Sequence, residues 1–295
     1  MNRGVLYALG AYLSWGLLPL FWKAVQGATP LEILAHRVVW SVLFLVLLLS
    51  VRQQWQWIRR ISRNRRVLLT FAATSLLLSV NWLTYIWAVN AGHVLESSLG
   101  YFINPLVNVL LGVVILGERM RMGQWVAVTL AGVGVLYLAL TLGTVPWIAL
   151  TLALTFGVYA LALKTASLNS LEGLTLETLF MFIPAVAYLL YLEAQGSGTF
   201  GHLSTGHSVL LLATGVVTAI PLLLFTAGAR RIPLSMIGLL QYTSPTLQFL
   251  LAIFLYREPF SATKLAGFVL IWLALALYSG EGLWQRRQVA AFKPA

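Results

Sequence analysis

Ten apolar stretches, each long enough to cross a lipid bilayer, follow one another along this 295-residue chain. Each uses about 20 residues, so no room is left for a separate water-soluble domain. Hydrophobic residues make up 60% of the sequence and charged residues 9%, a composition suited to lipid rather than water. The sequence predicts an all-α polytopic membrane protein with transmembrane helices 1 to 10 at residues 4–23, 31–51, 67–90, 94–116, 123–141, 145–163, 174–192, 208–228, 234–256 and 263–281.

The positive charge of the chain, a formal +11, lies mainly on one predicted membrane face. Six arginines fall in the connection 52–66, and loops rich in Arg and Lys stay in the cytoplasm. This orientation places both termini in the cytoplasm. We interpret the connection as a topology signal and a contact for anionic lipids, and we expect no nucleic-acid partner.

The sequence contains no cysteine and no aspartate, which narrows the chemistry of any site. Disulfides and thiolate metal sites are excluded, and every acidic role falls to one of eight glutamates. The H-E-x-x-H metal motif is absent, so we expect no metal and no cofactor. The first apolar stretch ends at Lys23 without a small-x-small cleavage site, which favours a retained helix over a signal peptide.

The two halves of the chain repeat each other with an offset of about 140 residues. Five helices in each half is an odd number, so the second half enters the membrane from the opposite side. We predict inverted repeats at residues 4–141 and 145–282 around a central cavity near mid-bilayer. With an offset of 140, residues of the first half fall on similar ones in the second: Tyr101, Asn104, Pro105, Asn108 and Glu118 on Gln241, Ser244, Pro245, Gln248 and Glu258.

Three segments resemble the RarD branch of the EamA family, within the drug/metabolite transporter superfamily: AHRVVWS (35–41), NWLTYIWAVNAGHVLESSLGYFINPLVNVLLGVVILGER (81–119) and LQYTSPTLQFLLAIFLYRE (240–258). The resemblance implies two inverted five-helix units that move a small metabolite or drug across the bacterial inner membrane by alternating access. That branch carries the label chloramphenicol-sensitive protein, which hints at drug export without establishing a substrate. Chloramphenicol-like and amino-acid-like compounds are the candidates, with direction and coupling ion open.

Two charged side chains lie inside predicted helices, Arg37 in helix 2 and Glu177 in helix 7. A guanidinium about 9 Å into the membrane costs several kcal/mol unless it is paired or solvated. We predict that Arg37 faces the cavity, with structural pairing as the alternative. Glu177 enters from the opposite face, so we expect no direct salt bridge between them. A carboxyl group there can exchange a proton, and Glu177 is the first proton-coupling candidate, with Glu96 the second.

A polar stripe runs along helix 4, where Ser97, Tyr101, Asn104 and Asn108 share one helical face. Helix 9 carries the corresponding positions, and the two stripes either line one cavity or bridge neighbouring helices. We favour cavity lining. The predicted substrate-binding residues are Arg37, Asn81, Tyr85, Tyr101, Asn104, Asn108, Gln241 and Gln248.

Prolines and aromatic residues add to this prediction. Pro105 and Pro245 each remove a backbone donor from their helix, which predicts a hinge beside a wet cavity or, equally, a static kink. Trp55 and Trp57 are assigned to the interfacial belt. Residues nearer helix interiors are candidates for an apolar wall against an aromatic or amphipathic substrate: Trp15, Trp40, Trp82, Tyr85 and Trp87.

The remaining charged and small residues suggest structural roles. Glu32 and Glu172 follow capping residues by three positions, which predicts a capping box at each helix start. Glu118 and Glu258 end helices, where loop arginines or the next helix start would compensate them. We expect 193–207, with His202 and His207, to be an external loop of low order; His93 is likewise assigned to a loop.

Small residues in helix 5 occur at four-residue spacing: Gly123, Ala127 and Ala131. This face predicts close packing on the same half of the chain, and a homodimer contact there stays open.

A transporter accounts for the repeat, the duplicated stripe and the two intramembrane charges together. The alternatives are an intramembrane enzyme and a membrane scaffold or regulator. An enzyme is disfavoured because no Asp, no Cys and no convincing Ser/His pair falls at membrane depth. A scaffold would need no polar cavity.

Overall fold

The computed structural model describes residues 2–25, 27–61, 64–90, 94–140, 146–255, 265–267, 269–274, 276, 277 and 280. These residues form α-helices, one short π-helix and helical residues within 265–280. The helices are α1 (Arg3–Ala24), α2 (Pro30–Val51), α3 (Gln56–Ile61), α4 (Arg65–Asn90), α5 (Val94–Val114), α6 (Met122–Leu140), α7 (Trp147–Thr165), α8 (Ser170–Ala194), α9 (Thr205–Ala229), α10 (Leu234–Gln241), α11 (Thr243–Leu250) and the π-helix Leu251–Leu255.

Seven helices within the described residues are long and apolar enough to cross a membrane: α1, α2, α4, α6, α7, α8 and α9. Shorter apolar helices occupy Leu99–Val114 and Leu265–Ala274. The prediction of an all-helical, multi-pass membrane protein is therefore confirmed. The count of ten spanning helices stays a prediction, because three of the predicted spans, 94–116, 234–256 and 263–281, are not among these seven.

The predicted ninth helix, 234–256, is divided into α10 and α11 at Tyr242. Pro245 explains the break, since its nitrogen has no hydrogen to donate to the carbonyl of Gln241 one turn earlier. In the first half, by contrast, α5 continues without interruption through Pro105. The two matched prolines therefore have different local effects on their helices.

The short helix α3 and the burial of Trp57 were not predicted from the sequence. Only 2% of Trp57 is exposed, and it packs in the main hydrophobic core rather than at a membrane interface. Trp55, two residues earlier, is 38% exposed. The assignment of Trp57 to the interfacial belt was wrong because α3 turns this side chain inward.

One of the two predicted capping boxes is present. Asn169 accepts from the backbone of Glu172, and the Glu172 carboxylate accepts from the Asn169 nitrogen, 3.2 Å away. At α2, Thr29 accepts from the backbone of Glu32, but the Glu32 carboxylate contacts Thr199 instead. The capping-box prediction for Glu32 was wrong, and this carboxylate anchors a distant connection.

The stretch 193–207 was expected to be an external loop of low order, but the connection 195–204 within it is held at Thr199 by hydrogen bonds to Glu32 and His207. His207 lies in the first turn of α9 and is 7% exposed, so its assignment to a loop was wrong. His202 is a loop residue and pairs with Glu193. His93 lies outside the described residues.

The most extensive contacts in the described part of the chain join helices of different halves. α1 packs on α9 and α11, α2 on α8 and α9, and α5 on α7 and α10. Glycines allow matched crossings: Gly16 lies against Leu247 of α11, and Gly157 lies against Val107 of α5. The Tyr242 hydroxyl donates to the carbonyl of Phe102, its counterpart 140 residues earlier, at 3.2 Å. Matched contacts of this kind are expected of inverted repeats.

The small-residue face of α6 is covered within the chain itself. Ala127 and Ala131 are fully buried. The position of a Cβ on Gly134 would lie 3.1 Å from the carbonyl oxygen of Gly267, so α6 also contacts the second half. The face predicted to pack on its own half therefore also packs on the second half, and a homodimer contact stays a prediction.

We expect Gly238→Ala to destabilise the crossing of α5 and α10. A Cβ at position 238 would collide with the carbonyl oxygen of Pro105 and would lie 3.1 Å from the Cβ of Asn108. Because the obstacle is backbone, the helices must separate, and overpacking of this kind costs about 1–3 kcal/mol. Thermal unfolding of purified protein in detergent should show a lower midpoint. Gly132→Ala is the matched control, since its nearest neighbour is 4.0 Å away; equal midpoints for the two variants would contradict the prediction.

Candidate functional site

A cavity of about 110 Å³ lies where α1, α2, α4, α5, α7, α9, α10 and α11 meet, and we call it the central cavity. A cavity needs roughly 10–15 Å³ to hold one water, so this one has room for several water molecules or for a small polar ligand group. Most of the predicted substrate-binding residues line it: Arg37, Asn81, Tyr85, Tyr101, Asn104, Gln241 and Gln248.

Arg37 faces the central cavity without a carboxylate partner among the described residues. Its Nε donates to the hydroxyl of Thr218 on α9 at 3.0 Å. Its guanidinium carbon lies 4.9 Å from the ring centroid of Trp22 and 4.6 Å from that of Trp82. The ring faces stabilise the cation by cation–π attraction and hold its plane. The positive charge is therefore positioned by the protein but not neutralised by a side chain.

An amide cluster joins the two halves beside the cavity. The Asn108 amide donates to Asn104 Oδ1 at 3.1 Å and to Gln241 Oε1 at 2.9 Å. Asn108 is fully buried and does not line the cavity, contrary to its prediction as a substrate-binding residue. It holds the amides of Asn104 and Gln241, which do line the cavity, in fixed positions. Helix bridging and cavity lining, posed as alternatives, thus occur together.

Two further lining residues also bridge helices. Asn81 of α4 donates from its amide to the carbonyl of Leu152 and the hydroxyl of Thr155 on α7, both at 2.9 Å. Gln248 of α11 donates to the carbonyl of Trp15 on α1 at 3.2 Å. These bonds use only amide donors, so the side-chain oxygens of both residues remain acceptors for a ligand.

Aromatic rings form much of the cavity wall. Trp15 and Phe156 meet edge to face at 5.8 Å, and Tyr85 and Tyr101 at 5.7 Å. Of the aromatic residues predicted for such a wall, Trp15, Trp82 and Tyr85 line the central cavity. Trp40 lies at a second cavity. Trp87 is 49% exposed and packs on Trp147.

Glu177 lies outside the central cavity, between α4, α7 and α8. It is fully buried, and Tyr159 of α7 donates to its Oε2 at 3.2 Å. Ser75 of α4 donates to its backbone carbonyl at 3.1 Å. The ring of Tyr159 packs against Phe156, which lines the cavity, at 5.6 Å. The carboxyl group therefore lies at a junction of the two halves, separated from the cavity by aromatic rings.

The remaining predicted site residues differ in whether they reach the central cavity. No ion pair links Arg37 to Glu177 among the described residues. Pro245 lines the central cavity, whereas Pro105 does not. The side chains of Glu96 and Ser97 lie outside the described residues, as does Glu258.

Glu118 forms a contact between the halves that the sequence did not suggest. Its carboxylate accepts from the backbone of Leu234 at 2.6 Å and from the backbone and hydroxyl of Ser235 at 3.0 and 2.7 Å. Lys164 lies 3.9 Å away. The carboxylate caps α10 in the opposite half, where the helix dipole favours it, rather than meeting a loop arginine or the next helix start.

The family model described as "EamA-like transporter family" matches the chain twice, over residues 2–140 and 144–280. The chain belongs to the EamA family. This confirms the resemblance noted in the sequence. Membership, together with the apolar helices, identifies a multi-pass bacterial membrane protein that acts as a transporter of the drug/metabolite type.

Similar proteins cover nearly the whole chain. "Protein RarD" of Streptomyces exfoliatus is 48% identical, with 98% of this chain and 92% of that protein covered. "Uncharacterized transporter YojE" of Bacillus subtilis (strain 168) is 46% identical, with 97% and 96% covered. A solved structure titled "Crystal structure of protein" has a TM-score of 0.70 and 18% identity, with 94% of this chain and 97% of that chain covered. At that identity, the structure supports the fold alone.

Sequence reasoning did not identify Thr218, Trp22 or Tyr159. Thr218 follows Thr214 by one turn inside the apolar helix α9, and that polar spacing was the available signal. Trp22 lies at the end of α1, where an interfacial position is the simplest expectation. Nothing local marks Tyr159 as the partner of Glu177, because the contact depends on how α7 packs on α8.

Proposed function

We propose that this transporter carries small carboxylate-bearing or zwitterionic metabolites by alternating access, with Arg37 binding the carboxylate. The observation that carries the proposal is the Arg37 guanidinium, which faces the central cavity without an acidic partner in the described part of the chain. A charge at membrane depth is costly unless it is paired or solvated. A substrate carboxylate would supply the missing partner through charge-assisted hydrogen bonds.

The rest of the cavity suits an amino-acid-like substrate. Side-chain oxygens of Asn81 and Gln248 can accept from an ammonium group. Trp15, Phe156 and Tyr101 offer apolar ring faces for a side chain of the substrate. Neutral aromatic compounds of the chloramphenicol type could use the rings and amides but would gain nothing from the guanidinium charge.

We further propose that Glu177 couples transport to proton movement. It is buried where α8 meets α4 and α7, so a change in its charge would alter contacts between the halves. Glu177 therefore acts on the conformational cycle rather than on the substrate. Glu96 is the second candidate for this role.

Transport by purified protein in liposomes tests the proposed function. We expect saturable uptake of radiolabelled amino acids with apolar side chains, above that of empty liposomes. Because the chain has no native cysteine, Ser244→Cys can be labelled with a bulky maleimide after reconstitution. Since Ser244 lines the cavity, labelling should abolish uptake and substrate should slow the labelling. Ser197→Cys, on an exposed connection, is the matched control. Full uptake after labelling at position 244 would exclude the central cavity as the transport path, whereas no uptake above that of empty liposomes would favour a scaffold or regulator.

The proposed orientation, with both termini in the cytoplasm of the inner membrane, has its own test. We expect a cysteine at Gln54, in the arginine-rich connection, to resist membrane-impermeant thiol reagents added outside intact cells. A cysteine at Ser197 should react, because α2 and α8 place it at the other membrane face. Both positions are exposed, so burial cannot explain a difference. If position 54 is labelled from outside and position 197 is not, the proposed orientation is wrong and the opposite one holds.

An intramembrane enzyme remains the alternative from another functional class. The EamA relatives that are named as transporters weigh against it. We also propose that the connection 52–66 contacts anionic lipids through its arginines.

A further inference from the structure

A second cavity, of about 260 Å³, lies between the start of α2, the end of α8 and the connection 195–204. We call it the outer cavity, because it lies at the membrane face opposite the arginine-rich connection 52–66. Its polar wall includes Glu32, His36 and Glu193. The aromatic rings of Trp40 and Phe200 complete that wall. The outer cavity shares no lining residue with the central cavity.

The Glu32 carboxylate in this wall is only half satisfied. Its Oε1 accepts from the backbone nitrogen of Thr199 at 2.6 Å and from the Thr199 hydroxyl at 2.9 Å. Its Oε2 is buried and has no hydrogen-bond partner among the described residues. Glu32 is 1% exposed, so bulk water does not replace the missing partner. An unmet acceptor on a buried carboxylate is costly and marks a position that a donor would occupy.

His36, one helical turn further along the same face, presents an unmet donor. The indole nitrogen of Trp40 can only donate, and it lies 3.1 Å from His36 Nδ1. Nδ1 is therefore the acceptor and the proton of the neutral ring is on Nε2. His36 Nε2 is buried without a partner in the described part of the chain. One wall thus offers a negative acceptor and a neutral donor, four residues apart on one helix.

The surroundings favour a cationic donor over any other. Two carboxylates line the outer cavity, Glu32 and Glu193, of which Glu193 also contacts His202, and no Lys or Arg lines it among the described residues. The Phe200 ring lies 5.1 Å from His36 and 5.6 Å from Trp40, so an aromatic face is available to an ammonium group. An anionic headgroup without an ammonium would meet the carboxylates unfavourably.

The opposite wall is aliphatic and faces the lipid. It is formed by α8 residues Val186, Leu189 and Leu190, and Leu190 is 65% exposed. The cavity begins at the ends of two spanning helices, near the level of lipid headgroups, and extends inward along α2, where His36 lies about 9 Å from the first residue. An acyl chain can follow α8 while its headgroup enters the polar end.

We propose that the outer cavity is a binding site for a zwitterionic aminophospholipid such as phosphatidylethanolamine. The ammonium group donates to Glu32 Oε2, the phosphate accepts from His36 Nε2, and an acyl chain packs along α8. The bound lipid would complete the wall that holds the connection 195–204 through Thr199. This site does not depend on the transported substrate.

Lipid binding to purified, delipidated protein tests the proposal by native mass spectrometry and thermal unfolding in detergent. We expect phosphatidylethanolamine to bind one per chain and raise the unfolding midpoint. Phosphatidylcholine, whose quaternary ammonium has no N–H, should bind at least tenfold more weakly. Soluble phosphoethanolamine has the same headgroup without acyl chains. If it binds with the same affinity as phosphatidylethanolamine, the ligand need not be a lipid and the lipid assignment is overturned. Equal binding of phosphatidylcholine would overturn the ammonium contact.

Two variants sharpen the test. Glu32→Gln keeps an oxygen for Thr199 but removes the charge, and it should weaken phosphatidylethanolamine binding at least tenfold. Glu172→Gln is the matched control, because glutamine also serves in a capping box and the charge change is identical. Leu190→Trp, at an exposed position on α8, should reduce lipid binding without unfolding the protein. Unchanged lipid affinity in both Glu32→Gln and Leu190→Trp would overturn the site.

Discussion

Replacing Arg37 with glutamine should weaken the binding of carboxylate-bearing substrates by roughly 10- to 100-fold. Hydrogen bonds to a charged group contribute about 1.5–3 kcal/mol, and glutamine retains polarity without charge. Neutral substrates that use only the rings and amides of the cavity should lose far less affinity. The quantity to measure is the ratio of affinities for an anionic or zwitterionic compound and a neutral one, such as chloramphenicol, in the same preparation.

Two further substitutions separate binding from folding at this position. Arg37→Lys keeps the charge but loses the planar group that contacts the rings of Trp22 and Trp82, and it loses the Nε donor to Thr218. Its affinity for carboxylate-bearing substrates should lie between those of the wild type and the Arg37→Gln variant. Arg121→Gln removes an equal charge from an exposed position and is the matched control. A parallel loss of affinity for neutral and anionic substrates in Arg37→Gln would assign Arg37 a structural role.

The lengths of the apolar stretches and the positions of proline and glycine predicted the helices well. Membrane spans are constrained by the thickness of the bilayer and by the need to satisfy backbone hydrogen bonds. The positions of α1, α2, α7, α8 and α9 follow the apolar stretches closely. The sequence predicted a distortion at both Pro105 and Pro245. The helix is divided near Pro245, whereas α5 is continuous through Pro105, and the sequence did not predict this difference. The cost of one missing bond depends on what packs around the helix. Such packing is not encoded in local sequence.

The candidate cavity was predictable to the extent that it follows helical periodicity. The shared face of Tyr101 and Asn104, and its counterpart at Gln241, came from spacing alone. Asn108 continues the same spacing, yet it is buried behind the cavity wall because α10 covers it at Gly238. Spacing identifies the face of a helix, whereas the neighbour that covers each turn depends on the tertiary crossing.

Contacts between distant segments were the least predictable. Glu32 and Glu172 occupy similar positions three residues after a capping residue, and only Glu172 completes the box. Thr199, on a remote connection, donates two hydrogen bonds to the Glu32 carboxylate, which therefore does not accept from the backbone nitrogen of Thr29. Glu118 similarly caps a helix of the other half. A carboxylate takes whichever donors the fold brings closest, and the local sequence does not contain that information.

Glu177→Gln should abolish accumulation of substrate driven by a pH gradient while leaving exchange between two equilibrated compartments largely intact. Glutamine has nearly the same shape and can accept from the Tyr159 hydroxyl, as Glu177 Oε2 does at 3.2 Å. It cannot bind and release a proton, so it removes the coupling role without removing the contact between α7 and α8. Exchange needs only the movement of the loaded carrier, whereas accumulation needs the gradient to be linked to that movement.

Paired assays in proteoliposomes separate the two outcomes. Exchange is measured with radiolabelled substrate on both sides and no gradient, and accumulation with an imposed pH gradient. Glu172→Gln serves as the control, since its carboxylate completes the capping box at the start of α8 and does not line the central cavity. A Glu177→Gln variant that still concentrates substrate like wild type would exclude this carboxyl group as the coupling site. Glu96→Gln would then be tested in the same way, and retention of accumulation in both variants would make uncoupled facilitated diffusion or a different ion the preferred mechanism.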